Sequence, residues 1–289
     1  MRYLLGFLML ACLAITTVCS DRLTFKPERP LVVVQAYVYA GQPVEDILVT
    51  STLGLGSTDT VPPPITDAQV QLVINGVCYL LQPLWWNKGY YFYPCDGPED
   101  PETPVGELIV EEGDVVTLEV LYYGKVATAT TVVPPPPAGV EITPGTLSVS
   151  AASYPGTGEF SPGGLFIEDP NNALTVSWED DGNSMYYVTL ENKYIFTDPI
   201  LPNYPFNRPP KFASAPFTGG HFSIGWTNIT QYGDYRLMVY RLNREYLEMY
   251  LSRSQDSRDL NEPLTNVENG LGIFTALNKT TVYFRVEKQ

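Results

Sequence analysis

Four consecutive prolines, Pro134 to Pro137, constrain the fold of this chain more than any other feature. A proline run offers no backbone N–H and is held near an extended conformation, so neither a helix nor a central strand can pass through it. It also stiffens the connection between the segments on its two sides. Both of those segments read as β. Pro30 to Ala40 (PLVVVQAYVYA) is rich in β-branched residues, and Asp46 to Thr52 continues with Ile47 and Val49 on one face. Val70, Leu72 and Ile74 alternate with Gln71 and Val73, and Val116, Leu118 and Val120 alternate with Thr117, Glu119 and Leu121. Asn75-Gly76 predicts a type I′ hairpin turn into a return strand, Val77 to Gln82. Gly89 to Tyr93 and Lys125 to Val133 read as further strands, with Gly124 as a turn, and Gly54 to Pro64 as a long loop.

Beyond the prolines, Leu174, Val176 and Trp178 face one way while Thr175 and Ser177 face the other. Asp181-Gly182 predicts a second hairpin turn, into Met185 to Leu190. Residues 198–220 read as loop, Gly233 to Val239 as a strand, and the chain ends on two predicted strands, Gly270 to Leu277 and Thr280 to Glu287. One segment breaks the pattern. Asn243 to Ser254 places Tyr246, Leu247, Tyr250 and Leu251 at helical spacing and contains neither Gly nor Pro. The expected fold is therefore mainly β, with two β-sandwich-like domains. The first, immunoglobulin- or transthyretin-like, covers 30–133, and residues 134–139 form the proline linker. The second covers 140–289 and carries one packed helix near 243–254.

The amino-terminal end bears on location. Arg2 precedes an apolar run, Tyr3 to Val18, and then Cys19-Ser20-Asp21. One positive charge ahead of about 15 apolar residues reads as a secretory signal, and the run is short of the roughly 20 that a membrane-spanning helix needs. A cysteine at that junction is where a bacterial lipoprotein is cleaved and acylated. The expectation is a lipoprotein signal over 1–18, lipidation at Cys19 and a tether over 19–29. Ordinary cleavage after Ser20, leaving a soluble secreted protein, is the competing reading. Cys78 and Cys95 remain beyond the signal; in an exported chain an even count predicts one disulfide, which by loop closure alone would contribute about 3 kcal/mol.

Charge excludes one class of partner. The formal net charge is −15, and nucleic acid needs Lys and Arg to neutralise its phosphates. The single histidine, His221, has no Asp or Glu within ten residues, so it reads as a loop or strand-edge residue and not as a catalytic base. No zinc, phosphate-loop or dinucleotide motif occurs, and no cofactor or metal is expected. Two acidic groups, Asp96, Glu99, Asp100 and Glu102, and Glu179, Asp180 and Asp181 with Asn183, lack EF-hand spacing and read as solvated loops and turns. The aromatic group is different. Trp85, Trp86, Tyr90, Tyr91, Phe92 and Tyr93 fall within nine residues, and a strand buries only every second side chain on a given face. Either both faces are covered, or part of this group forms an exposed contact surface.

Several strings carry a family resemblance. LVVVQAYVYAGQPVEDILVT, PPPITDAQVQLVINGVCYLL and GDVVTLEVLYYGKVATATTVVPPPP resemble the family labelled domain of unknown function 4249. So do the helix around Tyr246-Leu247 and Tyr250-Leu251 and the string EPLTNVENGLGIFTALN at 262–278. The cysteines Cys78 and Cys95 depart from the usual pattern. Similar proteins are outer-membrane lipoproteins of the Bacteroidota, often encoded beside TonB-dependent receptors, and the family has no established catalytic residues. The resemblance implies a non-enzymatic, lipid-anchored outer-membrane protein, exposed at the cell surface. It would act as accessory binding partner of a TonB-dependent receptor; a glycan or peptide is a further possible ligand, to which an exposed aromatic surface would be suited. A structural or adhesive surface protein is the alternative, and a surface glycan or peptide hydrolase the third.

Overall fold

The computed structural model describes residues 30–54, 57–94, 108–149, 174–194, 198–200, 211–225, 228–252 and 265–289. Mainly β structure is what alternation predicted, and the strands form two packed units. In the first, β1 (Val32–Tyr39) pairs antiparallel with β2 (Asp46–Ser51), which pairs with the short β5 (Tyr90–Phe92). The sheet continues through β4 (Val77–Pro83), β3 (Gln69–Ile74), β6 (Val115–Tyr122) and β7 (Lys125–Val132). Asn75 and Gly76 both have positive φ, 49° and 87°, so the β3–β4 turn has the backbone that a two-residue type I′ turn demands. Val70, Leu72, Val116, Leu118 and Val120 all point into the core, as their period of two required.

The sheet wraps around this core. At its far edge Thr128 of β7 and Glu268 exchange both backbone hydrogen bonds, at 3.1 and 2.7 Å, so β7 meets the segment that leads into the last strand. That strand, β15 (Leu271–Lys288), differs from expectation. Two strands were predicted here, yet the structure has one of 18 residues without a turn at Asn278-Lys279. Its first part runs parallel to β1, from Val33↔Leu271 to Tyr39↔Leu277, and sends Phe274 and Ala276 into the first core. Its second part pairs antiparallel with β14 (Gly233–Leu242), and Phe284 and Val286 enter the second core. No turn forms because Asn278 is occupied differently: its Nδ2 donates to the Pro134 carbonyl at 2.8 Å. One strand thus belongs to both units, and residues 271–277 complete the domain expected to end at 133.

The second unit is a sandwich. One layer holds β12 (Lys211–Ala213), β11 (Met185–Asn192), β14, β15 and β9 (Thr146–Val149); the other is β13 (His221–Ile224), β10 (Leu174–Glu179) and β8 (Ala138–Thr143). Leu174, Val176 and Trp178 from one layer meet Tyr186, Val188, Leu190, Leu237 and Val239 from the other. The predicted Asp181-Gly182 hairpin is therefore not one. β10 pairs with β8 and β13, and β11 with β12 and β14, so this turn carries the chain from one layer to the other. Asp181 builds the turn itself, accepting from Asn183 N at 3.0 Å, Ser184 N at 2.8 Å and Ser184 Oγ at 2.9 Å. These bonds to the ionised form hold its carboxyl below the usual range. Arg241 ion-pairs with it.

Helix α1 (Arg244–Ser252) occupies most of the predicted helical segment; 253 and 254 lie outside the described residues. Tyr246 sets its ring 6.2 Å from Tyr37 on β1 and 6.5 Å from Tyr187 on β11, so the helix rests on both units and not on the second alone. Just before it, Asn243 Nδ2 donates to Thr131 Oγ1 and to the Val132 carbonyl, at 2.9 and 2.7 Å. Thr131 Oγ1 also accepts from Ala276 N at 3.2 Å. The family-like string at 266–272 forms the rest of this seam. Asn266 exchanges two hydrogen bonds with the Phe274 backbone, at 2.6 and 3.0 Å, Gly272 lies against β1 too closely for a Cβ, and at Gly270 a Cβ would be a tight 3.0 Å from the Val32 carbonyl oxygen.

Candidate functional site

Two surface features could carry recognition. The first is the tip of the β4–β5 hairpin, where the aromatic group lies. Its frame is rigid. Leu84 N donates to the Tyr90 carbonyl at 2.8 Å and Tyr90 N to the Asn87 carbonyl at 3.1 Å, closing the tip. Gly89 has φ of 87° and lies where a Cβ would meet Pro64 at 2.9 Å, while its carbonyl accepts from Val49 N at 2.8 Å. The hairpin is thereby fastened to β2. Tyr91 is fully buried, and its hydroxyl donates to the Ile65 carbonyl at 3.2 Å. Phe92 is buried, Tyr90 half-buried, and Tyr93 packs edge-on against Tyr79 with centroids 5.8 Å apart. Trp85 and Trp86 remain, 83% and 49% exposed, in a T-shaped pair with centroids 5.1 Å apart. The six-residue aromatic group therefore divides: four serve the core and its margin, and two face solvent.

The other expected site residues are placed as follows. Cys78 is exposed on β4, opposite Val73. Cys95, its expected disulfide partner, lies outside the described residues, as do Cys19 and the acidic group at 96–102. His221 is exposed on β13, an edge strand, with its backbone paired to Ser177. Among the described residues no group of three His, Cys, Asp or Glu side chains is arranged to hold a metal, and no helix is long and apolar enough to cross a membrane.

The second feature escaped the sequence reading. On the outer face of the second unit, β11, β14 and β15 align in rows. Tyr187, Tyr240 and Lys279 form one row, and Thr189, Met238 and Thr281 the next. The Tyr187 and Tyr240 rings stack 4.4 Å apart and 3° from parallel, and the Lys279 ammonium lies 5.6 Å from the Tyr240 centroid. Two positions further along, Glu191 ion-pairs with Arg236, opposite it on β14, and with Lys211 of β12 at 3.3 Å. Thr189, Glu191, Lys211, Arg236, Met238, Tyr240 and Lys279, with Gln42 from the first unit, border a groove of about 540 Å³. Burial pushes the Tyr187 hydroxyl well above its ordinary range. The Lys279 ammonium is pushed down, first by burial and then by the Arg236 charge. Burial alone would raise Glu191, but its hydrogen bonds to Arg236 and Lys211 outweigh it and hold the carboxyl below the usual range. The Lys211 arm is mostly exposed and contributes under about 1 kcal/mol. A period-two reading of Gly233 to Leu242 does place Arg236, Met238 and Tyr240 on one face, but only the register against β15 brings Lys279 beside them.

Comparison with known proteins places most of the chain. The family described as Domain of unknown function (DUF4249) matches residues 21–282. The chain belongs to that family. The match takes in residues of both units, the first two thirds of the shared strand, and the seam string at 266–272. No functionally curated protein matches. Among solved structures, the chain is similar to a Ca²⁺-stabilized, ice-binding adhesin of an Antarctic bacterium: 14% identity, 91% of this chain and 50% of that one covered, TM-score 0.22. It is likewise similar to the β-glucuronidase of Parabacteroides merdae: 14% identity, 73% of this chain and 23% of that one, TM-score 0.22. The chain spans half the length of the adhesin and less than a quarter of the glucuronidase, and we carry no site or activity over from either.

Proposed function

We propose that this DUF4249 protein is a non-enzymatic, lipid-anchored accessory protein of the outer membrane that binds a TonB-dependent receptor. One observation supports the reading above others: Trp85 and Trp86 stand exposed on a hairpin tip that hydrogen bonds and Gly89 hold rigid. Large exposed aromatics cost solubility, and rigid ones lose little conformational entropy on binding, which is why Trp is enriched where partners meet. A lipid at Cys19 would confine this tip to the membrane surface, and the tether would set the effective concentration at which it meets a partner in the same membrane. Cell-surface exposure and a glycan or peptide cargo belong to the same reading.

Affinity purification from native membranes after mild crosslinking tests it. The tagged wild-type protein should recover a TonB-dependent receptor, and a double W85S/W86S variant present in equal amount should lose it. Recovery of the receptor in equal yield by both proteins would remove the tip from the account. Recovery by neither would remove the partnership.

A further inference from the structure

The groove on the outer face of the second unit carries three cations, Lys211, Arg236 and Lys279, against one carboxylate, Glu191. That balance opposes the chain as a whole, whose formal net charge is −15. Glu191 is engaged by Arg236 and Lys211. Lys279 is not: among the described residues its ammonium makes no salt bridge and lies over the Tyr240 ring, partly withdrawn from water. Only the Glu191 charge, which Arg236 and Lys211 already share, offsets this half-buried ammonium among the described residues, and an incoming anion would return part of the cost of its burial. The guanidinium of Arg236, with five N–H groups, can hold Glu191 and still donate to a second acceptor.

We propose that this groove binds the carboxylate of a small organic acid, with Lys279 as its charge partner. Lys279 is the one groove cation without a salt bridge among the described residues, and a single carboxylate meets it with less repulsion from Glu191 than a phosphate dianion would. About 540 Å³ holds a molecule of monosaccharide or amino-acid size, within the usual range for small-molecule sites. Met238 and Tyr240 provide the apolar floor for its body, and Thr189, in the row beside Tyr187, a hydroxyl. None of the lining residues belongs to the Trp85–Trp86 hairpin tip, so the site stands or falls independently of the receptor partnership.

Methyl NMR on the purified protein with ¹³C-labelled methionine tests the site, because Met238 lies in the groove. The probes are N-acetyl-L-phenylalanine, representing a peptide end, and D-galacturonic acid, representing an acidic sugar, each beside its uncharged amide. The expected result is a saturable shift of the Met238 methyl signal with at least one acid and not with its amide. K279M should weaken that acid at least tenfold, and K279R should retain it. Which acid binds then tells the source of the carboxylate. Three results would overturn the site: no Met238 shift with either acid, equal binding of acid and amide, or undiminished binding by folded K279M. Should K279M not fold, the acid-against-amide comparison on the wild-type protein decides alone.

Discussion

A Cβ on Gly272 would lie 2.9 Å from the carbonyl carbon of Val34 and closer still to its oxygen. The two residues are partners in the parallel pairing of β15 with β1, and Gly272 has φ of 103°, a conformation that side chains rarely adopt. The last strand can enter the first unit only because this position has no side chain.

Gly272→Ala should therefore destabilise the protein by more than about 2 kcal/mol, combining backbone strain with overpacking. Gly124→Ala, at φ of 74° with nothing within 4 Å, should cost only about 1 kcal/mol. Urea midpoints of both variants check this. Equal losses would mean that the contact with Val34 is not what the glycine serves.

Thr131 is buried and joins three segments: its hydroxyl accepts from Asn243 and from the Ala276 amide. Thr131→Val keeps the shape and removes the acceptor, leaving a buried N–H unpaired. The expected loss is about 1–3 kcal/mol. Hydrogen exchange should show the Ala276 amide losing protection before the amides of β3 and β6 do.

Much of this arrangement was legible in the residues, and the rest was not, for a physical reason. Strand faces are local: the alternation at Val70, Leu72 and Ile74 and the Asn75-Gly76 turn appear where a period of two and a φ requirement put them. Pairing is non-local. Asp181-Gly182 has turn chemistry, but nothing nearby says that β10 and β11 belong to different layers. Asn278-Lys279 looks like a break until Pro134 supplies a carbonyl for Asn278. The tryptophan pair could be named from sequence, although which of the six aromatics would face solvent depended on Gly89 and β2. The Lys279 groove depended wholly on cross-strand register.

Glu191 predicts a pH response. Its folded-state pKa lies below the ordinary carboxylate value, so its contribution to stability is fully present above that ordinary value. The contribution falls away as pH drops through the lower, folded-state pKa. Urea midpoints measured from neutral pH downward should thus decline across the acid range, and E191Q should flatten part of that limb. A limb unchanged in E191Q would place the titration elsewhere, with Asp181, also held low, the first alternative.

Trp85→Ser should leave the stability from urea unfolding within about 0.5 kcal/mol of wild type, because this ring is mostly exposed, whereas Trp86→Ser, whose ring is half-buried beside Phe92, should cost more. Tyr91→Phe removes the hydroxyl that donates to Ile65 and should cost about 1 kcal/mol. A Trp85 variant that unfolds as readily as Y91F would make the hairpin tip structural.

The account rests most heavily on attachment to the membrane through Cys19. Cells expressing the full chain and given a clickable fatty acid should yield a processed, labelled polypeptide in the membrane fraction, and Cys19→Ala should abolish the label. A processed wild-type polypeptide that carries no label and is recovered from the culture fluid would contradict the account.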